Sequence, residues 1–243
     1  MSAAPEREPV LRLTDGLWFG AGPESWALDP LRVAQGSWVA LVPGGDEPVV
    51  DPAGPLARIL STLIEPTRGA VELMGKDVSR VEYREKQMLR ARLGFVQGYG
   101  GLLSNRTLRD NIALPVSIHG GLSVAEEDQL VDDTLFGFAL DQIGDRRPHE
   151  VDGASRWRAC LARALVLSPE WVVLEGIGDW EVDRGQGVAW TRFCEFQRRG
   201  NSAAAICLSR QNPAFEAWFE DQGGEVVRYL AKVRDRSTRS SLT

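Results

Sequence analysis

Gly36-Ser-Trp-Val-Ala-Leu-Val42, Pro43-Gly-Gly-Asp-Glu-Pro-Val-Val-Asp-Pro-Ala-Gly-Pro55 and Leu56-Ala-Arg-Ile-Leu-Ser-Thr-Leu-Ile64 follow one another without a break. The first stretch is branched and aromatic and reads as a buried strand. The last reads as a helix over Pro55–Ile64, because a proline in the first turn has no N–H to lose. A phosphate loop between such elements needs glycines whose N–H groups approach the oxygens, a lysine for the outer phosphates, and a hydroxyl for magnesium. Here four prolines remove N–H donors, and Asp46, Glu47 and Asp51 would face phosphate with like charge. No lysine occurs before Lys76. The expectation is a strand–loop–helix unit whose loop does not cradle a triphosphate.

At 243 residues the chain suffices for one large α/β domain, or for a domain with a small helical insert. A composition of 26% charged and 43% hydrophobic residues is that of a soluble globular protein. No apolar run reaches the length of a membrane span, and Met1-Ser-Ala-Ala-Pro-Glu-Arg7 lacks a hydrophobic signal core. The expected location is cytoplasmic, with membrane contact made through a partner. The net charge of −6 gives no general attraction to nucleic acid or anionic lipid. Cys160, Cys194 and Cys207 lack metal-ligand spacing and sit in apolar contexts, as buried free thiols would. With only His119 and His149 present, no metal site is expected.

Strands are predicted at Val10–Leu13, Trp38–Val42, Ala70–Met74, Leu93–Val96, Trp171–Glu175, Ala203–Leu208 and Glu225–Leu230. Helices are predicted at Pro55–Ile64, Val81–Arg92, Leu108–Leu114, Val124–Leu140, Ser155–Leu167 and Gly185–Arg199. Alternation of helix with apolar strand implies a mainly parallel sheet covered on both faces. The polar stretch Arg234–Thr243 is expected to be a disordered tail.

Four further stretches appear in a telling order: Leu63-Ile-Glu-Pro-Thr-Arg-Gly69 with Val71-Glu-Leu-Met-Gly-Lys-Asp-Val78; Gly94-Phe-Val-Gln through Asn111-Ile-Ala-Leu-Pro115; Arg147-Pro-His-Glu-Val-Asp-Gly-Ala-Ser155 with its following helix; and Ser168-Pro-Glu-Trp-Val-Val-Leu-Glu175. Together they resemble the ATPase subunit of ABC transporters. The Leu102-Leu-Ser-Asn105 wording, continuing to His119-Gly-Gly-Leu-Ser123, is most similar to ATPases of MCE-type lipid-asymmetry transporters. The resemblance implies an α/β P-loop NTPase fold over residues 1–233. Such a fold has a mainly parallel core, N-terminal antiparallel strands and a helical subdomain at about 97–167.

Set against that family, the chemical positions depart. The signature motif falls on Val151-Asp-Gly-Ala-Ser155, so Asp152 and Gly153 stand where a serine and a glycine would meet the opposite subunit's γ-phosphate. A carboxylate there repels phosphate, whereas as a helix N-cap Asp152 has an ordinary structural role. The Walker B aspartate falls on Glu175, the catalytic base on Gly176, and the switch histidine on Arg210. Glycine has no side chain to reach water, and arginine cannot accept a proton. Ungapped matching puts Gly98 at the Q-loop glutamine, with Gln97 one step earlier and turned to the other face. Trp18 and Phe19 fall where the family stacks adenine, with core packing as the plainer reading.

The resemblance therefore implies a pseudo-ATPase that keeps the scaffold, binds no cofactor, and docks on a permease's coupling helix through Tyr99, Leu102, Leu103, Asn105, Leu114 and Pro115. Leu102, Leu103 and Leu114 are equally readable as subdomain core. A second ABC ATPase-like subunit, self or paralogue, is an expected partner, and nucleic acid is not. Two alternatives stay open: a degenerate half of an ATPase heterodimer that still binds ATP and magnesium, and a soluble interaction or regulatory protein.

Overall fold

Buried positions interleaved with more exposed ones, interrupted by an irregularity between Pro9 and Leu11, build the first sheet. In this computed structural model, which describes residues 9–20, 24–45, 48, 50–98, 101–176 and 187–233, β1 (Pro9–Leu13) pairs antiparallel with β4 (Leu31–Ala34) and with β6 (Val71–Leu73). β7 (Lys76–Asp77) closes that sheet against β6. The second sheet has seven strands in the order β2 (Leu17–Phe19), β3 (Glu24–Leu28), β11 (Glu225–Val233), β5 (Trp38–Gly44), β10 (Ala203–Cys207), β9 (Trp171–Glu175), β8 (Leu93–Val96). Its five strands from β11 to β8 run parallel, while β3 and β2 join antiparallel.

The central parallel strands β5, β10 and β9 are buried on both faces, as helix-covered strands must be, while β8 and β11 keep part-exposed positions. Trp38, Ala40, Val42, Val172, Leu174, Ala204 and Ile206 face one core. Their neighbours Val39, Leu41, Trp171, Val173, Ala205 and Cys207 face the other. The first core is closed by α3 (Leu108–His119), α4 (Val124–Gly137), α5 (Gly153–Leu165), α6 (Val188–Arg198) and α7 (Pro213–Asp221). The second is closed by α1 (Ala53–Leu60) and the antiparallel sheet. α2 (Tyr83–Ala91) precedes β8, and the described residues between β8 and β9 form helices and turns alone. Within that insert Asp152, accepting from the Ser155 N–H at 2.6 Å, caps α5.

Several predicted boundaries move for physical reasons. α1 begins at Ala53, two residues before the predicted start, because Asp51 captures the Ala53 N–H. It stops at Leu60 rather than Ile64, since Thr62 turns left-handed at φ +61° and Leu63 N–H returns to the Arg58 carbonyl at 2.8 Å, a Schellman-type stop. α3 runs through Pro115 to His119 instead of ending at Leu114. Proline removes one helical hydrogen bond, but Ile112 and Val116, one turn apart and fully buried, anchor both sides of it. Strands β2, β3, β4 and β7 and helix α7 were absent from the prediction. The expected tail 234–243 and the predicted helix start at Gly185 lie outside the described residues.

Gly69 shows how tightly the two sheets meet. At φ +91°, a Cβ there would lie 2.0 Å from the Gly16 carbonyl oxygen, so no other residue fits.

Candidate functional site

The carboxyl ends of the parallel strands face the start of α1, and three acidic or glycine positions converge there. Asp51 Oδ1 accepts from the Ala53 N–H at 2.9 Å. Pro52 and Pro55 have no N–H, so within the first three helical residues only Gly54 retains a donor beyond the one Asp51 takes. The positive end of a helix is a ready anion site, and here the chain's own carboxylate occupies it. A phosphate loop's cation is missing as well, since no lysine precedes Lys76. The residues present do not fit a magnesium-bound triphosphate.

Glu175 ends β9 immediately opposite. A Cβ on Gly54 would lie 3.2 Å from Glu175 Oε1 and 3.8 Å from Arg58 Nη2, so the helix start packs directly on the carboxyl. Glu175 Oε2 is buried without a hydrogen-bond partner. Burial pushes its carboxyl above the usual range; Arg58 opposes that shift and Asp51 adds to it.

The Q-loop ambiguity resolves geometrically. Gly98 lies against the Glu175 carbonyl, with a Cβ position 3.1 Å from it. Exposed Gln97 turns away toward Gly101, whose Cβ position is 3.2 Å from Gln97 Oε1. Gly176 takes φ +62° and donates its N–H to the Cys207 carbonyl at 2.8 Å. Arg210 is exposed, and its neighbour Gln211 donates from Nε2 to the Gly45 carbonyl at 2.8 Å, tying this segment to the loop after β5.

Asp152 is exposed at the start of α5, with Gly153 as the first helical residue. The Ser155 N–H and hydroxyl hold its carboxyl below the usual aspartate range, helped by Arg158 and Arg156. Ser155 in turn accepts from Arg158 Nη2 at 2.9 Å. The capping reading accounts for every contact Asp152 makes here.

The aromatic pair does not form a platform. Phe19 is buried edge-on against Tyr229 at 5.5 Å, so it is core. Trp18 is half-buried, with the Arg68 guanidinium over its ring at 5.9 Å and the Arg68 carbonyl accepting its N–H at 2.9 Å. That cation–π contact covers the face a base would use.

The predicted docking set divides. Tyr99 lies outside the described residues. Leu102 is half-buried and packs against the core. Leu103 (42% exposed) and Asn105 stand on the outer surface. Leu114 and Pro115 line a groove of about 260 Å³ between α2, β8, α3 and α5. Phe95, Ile118 and Leu167 line it too, and sequence reasoning had missed them. Asn111, also missed, is fully buried and latches the preceding loop. It accepts from the Leu103 N–H at 2.7 Å and donates to the carbonyls of Leu103 and Thr107 at 3.1 and 2.8 Å. A buried asparagine in a sequence of otherwise apolar positions was the available signal.

Residues 55–175 match the model of the ABC transporter family. Over 114 residues the chain is 33% identical to the methionine import ATP-binding protein MetN 2 of Pseudomonas aeruginosa (strain UCBPP-PA14), covering 47% of this chain and 34% of that one. Over 135 residues it is 33% identical to the lipoprotein-releasing system ATP-binding protein LolD of Psychrobacter arcticus, covering 55% and 60%. The chain thus spans about a third of the length of the MetN relative and under two thirds of LolD. The dimeric bacterial ABC transporter cassette MJ0796 superposes with a TM-score of 0.71 at 17% identity, over 90% of this chain and 94% of that one. Among the described residues no helix is long and apolar enough to cross a membrane. Residues 55–175, just under half of the chain, are thus similar to the ABC transporter family, and the chain has the fold of an ABC ATPase cassette.

Proposed function

We propose that the chain is a catalytically silent, ABC ATPase-like subunit that docks on the cytoplasmic face of a membrane permease, in a lipid transport system. The observation that carries the silence is the Asp51 carboxylate seated on the Ala53 N–H, where a bound phosphate would need that donor. The glutamate at position 175, the side-chain-free Gly176 and the arginine at position 210 each support it. Docking is supported by the apolar groove beneath Leu114 and Pro115. The lipid cargo is supported by the MCE-like wording of residues 102–115, and a second cassette is the natural partner for a relative of dimeric cassettes.

Phosphate release and thermal melting of the purified chain with magnesium and ATP test the silence. No turnover above background and no rise in melting temperature are expected. A ligand at a hundred times its Kd would add roughly 2.7 kcal/mol, a shift of several degrees. A clear dose-dependent shift restores the nucleotide-binding reading, and turnover that vanishes with Glu175→Gln sinks the proposal.

A further inference from the structure

Behind the C-terminal end of α1 lies a second pocket of about 230 Å³, separate from the loop that faces Glu175. Ile59, Pro66, Val71 and Val78 supply apolar wall, while Lys86 and Arg90, one helical turn apart on α2, supply two cations. Thr62 forms part of the rim in the left-handed conformation, where glycine is the usual occupant and a β-branched residue is strained. Arg90 grips it: Nε donates to Thr62 Oγ1 at 3.0 Å and Nη2 to the Thr62 carbonyl at 2.5 Å. That grip fixes the guanidinium in the pocket with Nη1 left outside it. Lys86 has no ion-pair partner among the described residues. At the mouth Leu63 and Ile64 are 48% and 45% exposed, two adjacent large apolar side chains in water.

We propose that this pocket seats the phosphodiester headgroup of an anionic phospholipid, with Leu63 and Ile64 against its acyl chains. A fixed guanidinium beside a mobile ammonium is the donor set for phosphate oxygens. Glu65 also lines the pocket, and its carboxylate opposes a doubly charged anion while tolerating a singly charged diester. Apolar side chains beside cations are the pattern of a lipid-interface contact. With the whole chain at −6, such binding has to be local to this patch. Arg90 lines the permease groove as well, so the two surfaces are continuous.

Co-sedimentation of the purified chain with vesicles tests this without any permease, so it fails or succeeds separately from the docking proposal. Vesicles of phosphatidylglycerol and phosphatidylcholine in equal parts should retain the protein, and phosphatidylcholine alone should not. Lys86→Gln should weaken retention about tenfold, the loss of one charge-assisted contact. Leu63→Gln with Ile64→Gln should weaken it further, on a fold that melts normally because both side chains are exposed. Phe136→Asp, at an exposed position on α4 that lines neither pocket, should leave retention unchanged. Equal binding to both vesicles, or full retention by Lys86→Gln, overturns the proposal. Stabilisation by inorganic phosphate without vesicle binding assigns the pocket to a soluble anion and overturns the lipid reading.

Discussion

The helix starts that face the strand ends and the groove beneath α3 have been left in opposite states. At α1 and α5 the free N–H groups are met by carboxylates of the chain itself, Asp51 and Asp152. In the groove, large apolar side chains remain open to solvent, Ile118 at 61% and Leu114 at 38% exposure. A polar site that satisfies itself needs no ligand, and an apolar surface left uncovered costs free energy until a partner covers it. In the proposed function, the helix starts are the side closed to phosphate and the groove is the side kept for docking.

The sharpest break would come from the groove. Leu114→Asp with Ile118→Asp should abolish binding to the permease while the melting curve stays cooperative, because both positions are exposed. Affinity in such grooves concentrates in a few apolar anchors, and each carboxylate would be desolvated without a partner. Pull-down from detergent-solubilised membranes reads this. Binding that survives the folded double variant places the dock elsewhere.

A smaller effect is expected at the capped end. Asp152→Ala should cost about 1 kcal/mol, the usual worth of an N-cap, and lower the melting temperature by roughly 2–4 °C. Permease binding should be unchanged. A stability loss near zero would show that Ser155 and Arg158 hold the start of α5 without the cap.

The pH profile separates the carboxylates most finely. The carboxyl of Glu175 is raised from 4.5, so its contribution is complete below that value and is lost as pH rises through the folded pKa. Asp152 is lowered from 3.8, so its contribution is present above that value and lost as pH falls through the folded pKa. Melting temperature against pH should therefore flatten on the rising side in Glu175→Gln and on the acid side in Asp152→Ala. Flattening on the same side in both variants would break the contrast.

The sheet was largely legible from the residues. β8 and β9 have the bounds read from the sequence, because each is a short run of apolar residues ended by a polar one at Gln97 or Glu175. The glycine of Pro66-Thr-Arg-Gly69 was visible as a motif, but its cause, the Gly16 carbonyl 2.0 Å from a would-be Cβ, is a contact between distant segments. α7 went unread although Asn212 and Pro213 mark its start; its aromatics Phe215, Trp218 and Phe219 pack around the distant Trp190 and Trp38. Leu102 and Leu103 are neighbours with the same side chain. Only the fold, which turns one toward the core and the other to water, could divide them.

Asn111 gives α3 a mechanical property. Its side chain holds the loop at Leu103 and Thr107 by three hydrogen bonds, so that loop and helix are one solid piece. The 12 residues of α3 span about 18 Å, with the latch near one end and the groove residues Leu114 and Ile118 toward the other. A partner that displaced Leu114 would therefore carry residues 103–107 with it, as on the far arm of a lever.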